Sequence, residues 1–277
     1  MSDVEHQHAP RSLTTVPLLR RESIGDSYHV LSFDMPEGTR ARPGQFMMIR
    51  GVEWGDAPLL PRPMSYLSGG QTPSMLVKVQ GEGTLRMGRA EPGEPFALLG
   101  PLGNGWRAHD PSKRQLLVGG GVGIAPLLFL ARELIAQGAK PTLLYGGRTA
   151  RDIPLAEDAL ELCEVEFSTE DGTRGICGRV TDLLPRQLNA NTEVFTCGPD
   201  RMMAAVAEKC LAQHIPCEVS LESPMACGFG ICLGCAVPTP GEGYLYACVE
   251  GPCIDATRID WERNQHLSST VSKGGVK

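Results

Sequence analysis

The sequence predicts a multi-domain α+β protein of three units: an antiparallel β-barrel, a parallel-sheet α/β domain and a small cysteine-rich module. Short apolar runs broken by Gly, Pro and Asp fill the first third of the chain, which is typical of a small barrel. Strand-like and helix-like segments then alternate, as a parallel sheet requires, and closely spaced cysteines follow. The expected boundaries are a disordered tail at 1–10, the barrel at 11–108, the α/β domain at 109–220 and the module at 221–277.

Composition and charge narrow the class of protein. A net charge of −6 argues against nucleic acid as the main partner. The polar N-terminus has no apolar core of a secretion signal, and the longest apolar run, 124–131, is too short to span a bilayer. We therefore expect a cytoplasmic protein without a transmembrane segment, in which the ten cysteines are ligands or free thiols rather than disulfides.

The barrel is predicted from short runs that alternate in strand fashion. They are separated by turn residues, and several short strands at this spacing suggest a small antiparallel barrel. These runs lie at 13–19, 28–34, 45–50, 75–79 and 95–99.

The segment Arg62-Pro63-Met64-Ser65-Tyr66 stands out inside this region. The fork of an arginine can bind a pyrophosphate, and Pro63 fixes the backbone beside it. Ser65 can donate to a phosphate or a flavin, and Tyr66 can cover a ring. Taken alone, the segment is better interpreted as an edge strand with one surface arginine.

A second segment makes a dinucleotide site the better interpretation. The strand residues Leu76, Val77 and Lys78 are followed by Gly83 and Thr84, which begin a short helix. Free N–H groups at such a helix start bind anions. The strand with the arginine and this helix start would hold a dinucleotide phosphate between them, with an isoalloxazine ring on Leu76 to Lys78.

The α/β unit begins with a strand at 115–118, a glycine-rich turn and a helix at 127–137. Gly120, Gly121 and Gly123 lie in this turn, but Ile124 breaks the G-x-G-x-x-G fingerprint, and no acidic residue ends the second strand. We therefore expect a variant nucleotide site.

A later strand at 193–196 runs into Cys197 and Gly198. Open α/β sheets bind ligands at the carboxyl ends of their strands, which is where Cys197 would lie. An isolated cysteine at such a position is more often a small buried hydrophobe.

The C-terminal module carries Cys227, Cys232 and Cys235 in the pattern C-x4-C-x2-C, with Cys248 after a further twelve residues. This is the ligand spacing of plant-type [2Fe–2S] proteins, although the last gap is shorter than in plant ferredoxins. Zinc and plain core or disulfide cysteines are the alternatives. Cys253 competes as the fourth ligand, but Gly-Pro before it indicates a turn leading away.

The order of these motifs resembles the ferredoxin–NADP reductase superfamily. With the cysteine module, the chain is similar to the electron-transfer subunits of class 1B dihydroorotate dehydrogenase. The resemblance implies FAD between barrel and α/β domain, NAD on its other side, and a [2Fe–2S] cluster facing an FMN-containing catalytic subunit in a heterotetramer with two copies of each chain. The implied FAD residues are Arg62, Pro63, Met64, Ser65, Leu76, Val77, Lys78, Gly83 and Thr84, and the chemistry of the segment adds Tyr66 to them. Gly120, Gly121, Gly123, Cys197 and Gly198 would line the nicotinamide site, and Cys227, Cys232, Cys235 and Cys248 would hold the cluster.

The function implied by the resemblance is electron transfer from dihydroorotate, through the partner's FMN, the cluster and FAD, to NAD+ in pyrimidine biosynthesis. One alternative is an NAD(P)H-linked reductase subunit of a hydrogenase, transhydrogenase or glutamate synthase-like complex. An alternative of another class is a zinc-bearing nucleotide-binding regulator without redox activity. NAD rather than NADP is a preference taken from the family, since Arg148 and Arg151 could meet a 2′-phosphate or face solvent.

Overall fold

The computed structural model describes residues 12–264, so the tail predicted at 1–10 lies outside the described residues. A closed antiparallel barrel comes first, a mostly parallel sheet follows, and the cysteine-rich segment packs against both. The predicted fold class is confirmed. No helix between residues 12 and 264 is long and apolar enough to cross a bilayer.

The barrel closes in the strand order β1-β2-β5-β4-β3-β6. Its interior is filled by buried apolar side chains such as Leu31, Phe33 and Phe96. Helix α1 (Glu82–Arg89) follows β5 directly, as the Gly-Thr signal predicts. The strands are β1 (Ser12–Ile24), β2 (Tyr28–Phe33), β3 (Phe46–Gly51), β4 (Arg62–Ser68), β5 (Ser74–Lys78) and β6 (Pro95–Leu102).

The α/β domain is built on a seven-stranded sheet. The parallel strands are β7 (Arg114–Gly120), β8 (Thr142–Gly147), β9 (Glu164–Thr169), β10 (Ile176–Cys177), β11 (Thr192–Cys197) and β12 (Cys217–Ser220), and the helices are α2 (Ile124–Ala136), α3 (Ala156–Leu162) and α4 (Asp200–Leu211). The central strands of the sheet are buried on both faces, which explains the apolar run Leu-Leu-Val of β7, whereas β11 also buries Thr192, Glu193 and Thr196.

Helix α2 begins earlier than its apolar periodicity predicts. It starts at Ile124, immediately after the glycine turn, and Pro126 lies in its first turn, where a missing N–H costs nothing. Gly138 follows the helix with a φ of 87°, as expected of a glycine after a helix end.

The cysteine-rich segment is not a separate packing unit. It contains a hairpin of β13 (Ala236–Pro238) and β14 (Tyr244–Tyr246), followed by β15 (Cys253–Asp255). Strand β15 pairs antiparallel with β12 and becomes the edge of the α/β sheet. The boundary expected at residue 220 therefore does not separate two packing units, because β12 before it and β15 after it pair in the same sheet.

The connection from barrel to sheet is held by the exposed Arg107 and two buried carboxylates. The Arg107 guanidinium lies 3.0 Å from a carboxylate oxygen of Glu193 and 3.8 Å from one of Glu218. The Trp106 ring packs edge-on to Phe195, with centroids 5.7 Å apart. These contacts hold the segment that follows the barrel against the sheet.

A cavity between barrel, sheet and cysteine loop

A cavity of about 850 Å³ lies where the three parts meet. This volume falls in the range of sites that enclose a large organic ligand. The barrel contributes Pro63, Met64, Ser65, Leu76, Lys78 and Thr84; the α/β domain contributes Gly123, Pro126, Cys197 and Asp200; the cysteine-rich segment contributes Glu222, Met225, Gly234 and Tyr244. One ligand in this space would contact all three.

Arg62 and the start of α1 meet, as the sequence predicts. A Cβ on Gly83 would lie 2.9 Å from Arg62 Nε, so the guanidinium covers the glycine. Thr84 Oγ1 accepts hydrogen bonds from the backbone N–H groups of Gln80 and Gly81, at 2.9 and 3.1 Å. The Thr84 hydroxyl therefore stabilises the helix start, and the guanidinium and the first-turn N–H groups form one positive edge.

The other predicted flavin residues divide between cavity and core. Leu76 and Lys78 line the cavity, and the Lys78 ammonium lies 3.9 Å from Asp152 and 5.5 Å from the Tyr28 ring centroid. Val77 and Tyr66 are fully buried in the barrel core. Because the Tyr66 ring is in this core, it cannot cover a ligand ring. Only the backbone atoms of Val77 and Tyr66 can contact a ligand in the cavity.

The predicted nicotinamide residues converge at the carboxyl ends of β7 and β11. A Cβ on Gly123 would lie 2.4 Å from the Cys197 carbonyl oxygen, and one on Gly198 would lie 3.0 Å from the Gly120 nitrogen. Gly121 has a φ of 55°. Glycine is thus required here because two backbone segments approach closely and one of them turns sharply.

Cys197 has its buried side chain at the wall of the cavity. Burial, followed by the nearby Glu222 carboxylate, raises the pKa of its thiol, and this outweighs the opposite effect of a hydrogen bond with Ser220. The group is therefore a neutral thiol at neutral pH, suited to packing and weak hydrogen bonding rather than nucleophilic attack.

The loop cysteines approach one another in two pairs. Cys235 Sγ lies 3.1 Å from Cys248 Sγ, and the Cys248 backbone N–H donates to Cys235 Sγ at 3.4 Å. The Cys232 N–H donates to Cys227 Sγ at 3.5 Å. Gly228, with a φ of 80°, provides the tight turn that this wrapping needs.

The donor set fits a two-iron cluster. Burial opposes ionisation of Cys227, but N–H groups of Cys232, Phe229 and Ile231 and the Cys232 thiol lower its pKa to about 6. Within residues 12–264, no three His, Cys, Asp or Glu side chains converge on one ion position. The two cysteine pairs match a [2Fe–2S] cluster, which divides its four thiolates between two irons.

Cys253 points elsewhere. Its sulfur lies 3.6 Å from the Gly44 carbonyl oxygen of the barrel, and its strand pairs with Ser220 of β12. A Cβ on Gly44 would lie 2.4 Å from this sulfur. Cys253 thus packs into the seam between barrel and sheet, which favours Cys248 as the fourth ligand.

Sequence reasoning does not identify two charged residues of the cavity wall, Glu222 and Asp200. Glu222 follows β12, and desolvation and then Asp200 raise the pKa of its carboxyl, while Lys78 lowers it. Asp200 begins α4 and opens on the same space. Their positions at a strand end and a helix start are the only sequence signals for them.

Comparison with known protein families shows which family the chain belongs to. The family described as "Iron-sulfur cluster binding domain of dihydroorotate dehydrogenase B" matches residues 222–260, and "Oxidoreductase NAD-binding domain" matches residues 117–208. A Desulforamulus reducens protein named "Dihydroorotate dehydrogenase B (NAD(+)), electron transfer subunit" is 34% identical over 249 residues, covering 86% of this chain and 95% of the relative. The chain belongs to this family of electron transfer subunits. A family member from Caldanaerobacter subterraneus is 35% identical over 246 residues, covering 87% and 96%.

Solved structures agree with this family. The NADH-dependent reduced ferredoxin–NADP oxidoreductase, studied for flavin-based electron bifurcation, matches with a TM-score of 0.82 and 27% identity over 94% of each chain. The ferredoxin reductase of carbazole 1,9a-dioxygenase matches with a TM-score of 0.65 and 20% identity, over 75% of this chain and 67% of that one, and shows the fold alone. Family membership confirms the predicted oxidoreductase class and cofactor set of FAD, a [2Fe–2S] cluster and NAD.

Proposed function

We propose that this chain carries electrons from an FMN-containing dihydroorotate dehydrogenase subunit, through its [2Fe–2S] cluster and FAD, to NAD+. The observation that carries the proposal is the continuity of one cavity. Its wall includes Gly234 beside the cysteine pairs, Leu76 of the barrel and Cys197 of the nucleotide domain. A flavin bound in this space would lie between the cysteine pairs and the nucleotide domain.

The order of carriers follows from their chemistry. A cluster passes single electrons, nicotinamide takes a hydride, and a flavin does both when bound between them. The residues of this chain hold and separate these groups. Arg62 and the α1 start would bind the pyrophosphate, the two cysteine pairs would hold the cluster, and the closely packed glycines at 120 and 198 would shape the nicotinamide site beside Cys197.

Dihydroorotate itself needs no acid–base residue from this chain. Its oxidation belongs to the partner, and this chain supplies only the path for the electrons. We place the assembly in the cytoplasm and give it two copies of each subunit, in line with the family resemblance. The individual roles assigned to the cavity residues belong to this proposal.

Reconstitution tests the proposal. The anaerobically purified chain is expected to show flavin bands and broad cluster absorbance, both bleached by NADH. Alone it forms no orotate from dihydroorotate, and with the FMN subunit it couples orotate formation to NAD+ reduction. Orotate formation by the chain alone, or a colourless protein containing zinc, would refute the proposal.

A second function has one specific observation in its favour. The reduced ferredoxin–NADP oxidoreductase matches over 94% of both chains, so the fold also suits a subunit of such a complex. If that function is the correct one, the chain will pair with a second flavoprotein and reduced ferredoxin and will not reduce NAD+ with the FMN subunit. Parallel assays with both partners, at equal protein concentration, distinguish the two.

A further inference from the structure

The cavity has one aromatic ring that is open to a ligand. Tyr244 of β14 lines the cavity and is 51% exposed. Phe46 is the other aromatic side chain in the cavity wall within residues 12–264, and it is only 2% exposed. An exposed ring at a cavity wall is a platform for stacking a planar ligand.

Arg263 holds this ring in place. Its guanidinium donates to the Tyr244 hydroxyl at 3.1 Å and lies 5.3 Å from the ring centroid. The same group donates to the carbonyl oxygens of Gly241 at 2.7 Å and Thr239 at 3.4 Å. The arginine therefore fixes the ring on the hairpin and covers one of its faces, so that the opposite face is the one available to a ligand.

The position of the ring along the hairpin indicates which part of a dinucleotide it meets. Tyr246 pairs with Ala236, which follows the ligand Cys235, whereas Tyr244 pairs with Pro238 at the other end. Two strand residues correspond to about 7 Å. Tyr244 thus lies away from the cluster, while electron transfer requires the isoalloxazine to lie toward it.

We propose that Tyr244 binds the adenine ring of FAD by stacking, with Arg263 as its positioning residue. The proposal rests on the proposed function, because it takes the cavity as the flavin site. The cysteine-rich segment would then bind the adenine, and the barrel and the α/β domain would enclose the isoalloxazine. FAD binding then links this segment to the barrel, which carries Arg62 and the α1 start.

The test compares FAD with FMN, which lacks the adenine, in titrations of flavin-free protein. Tyr244→Leu is expected to raise the Kd for FAD about tenfold, the loss typical of one base–aromatic stack, and to leave the Kd for FMN unchanged. Tyr244→Phe keeps the ring and is expected to bind FAD within about twofold of wild type. Arg263→Gln, which keeps donors but removes the charge, is expected to fall between them.

The outcomes separate the possibilities. Equal weakening of FAD and FMN in Tyr244→Leu, or no weakening of either, would overturn the adenine assignment. Cluster absorbance in each variant reports whether the cysteine-rich segment is intact. Wild-type protein that binds neither flavin would refute the proposed function itself, and this result is distinct from a failure of the Tyr244 assignment.

Discussion

At the scale of single residues, burial and hydrogen bonding separate cysteines that the sequence leaves alike. Cys227 accepts several N–H donors, and its pKa falls to about 6, which favours a thiolate ligand. Cys253 is buried against Gly44, and burial followed by the Glu218 carboxylate raises the pKa of its thiol. Spacing suggests both Cys248 and Cys253 as fourth ligands, and the direction of the side chain decides between them.

Replacing these two cysteines by serine makes a matched pair. We expect Cys248→Ser to lose most of the cluster, because the iron bound by Cys235 would lose its second cysteine ligand. Cys253→Ser is expected to retain it, because that sulfur contacts the Gly44 carbonyl 3.6 Å away. Iron and sulfide content and the electron paramagnetic resonance of the reduced cluster are the measurements. A full cluster in Cys248→Ser would contradict the assignment of ligands.

Single residues also show how far sequence reasoning reaches. The cysteine pattern and the Arg62 motif are found because the chemistry demands fixed spacing. Tyr66 is adjacent to that motif, but strand alternation turns its ring into the barrel core. Tyr244 could not be found from spacing, because it reaches the cavity through a hairpin whose packing is set by the rest of the fold.

At the scale of elements, the segment that joins barrel and sheet is held in place by two buried carboxylates. Glu218 of β12 and Glu193 of β11 share Arg107. Burial raises the pKa of Glu218 to about 7, with Asp255 and Glu193 adding to the rise, although Arg107 and its N–H oppose it. The carboxyl thus keeps its proton to a higher pH in the folded chain than in the unfolded chain.

This shift predicts how stability changes with pH. Because the folded pKa is above the unfolded value of 4.5, the native state binds more protons, and the free energy of unfolding falls as pH rises from about 4.5 to about 7. The loss is at most on the order of 3 kcal/mol. Urea denaturation at several pH values should show a flatter profile for Glu218→Gln than for wild type.

The exposed Glu242 provides the control for this experiment, and Glu242→Gln should leave the profile unchanged. A Glu218→Gln profile as steep as that of wild type would contradict the assignment.

The sequence marks neither Glu193 nor Glu218 as buried, because each lies in a short strand whose burial depends on neighbours far along the chain. For the same reason the three-residue β15 could not be predicted, whereas β7, with its apolar run Leu-Leu-Val before a glycine turn, could.

At the scale of the whole molecule, apolar side chains surround the cluster loop. Ile231 is 75% exposed and Leu233 51%, and Phe229 and Val249 are also open to solvent. Several large apolar residues grouped at one surface indicate a protein interface. Since these residues flank the cysteine pairs, a partner bound there would lie close to the cluster, as transfer of electrons between subunits requires.

Ile231→Glu tests this surface in the reconstituted complex. We expect the Kd for the FMN subunit to rise at least tenfold, as for loss of a central apolar contact, because a charge would be buried at the interface. NADH should still bleach the flavin and cluster of the isolated chain, since the cavity between barrel and sheet is unchanged. Leu59→Glu, at a barrel residue that is 73% exposed, is the matched control and should bind the partner normally. If Ile231→Glu binds like wild type while Leu59→Glu does not, the partner docks on the barrel, and electrons must leave the cluster by a different face.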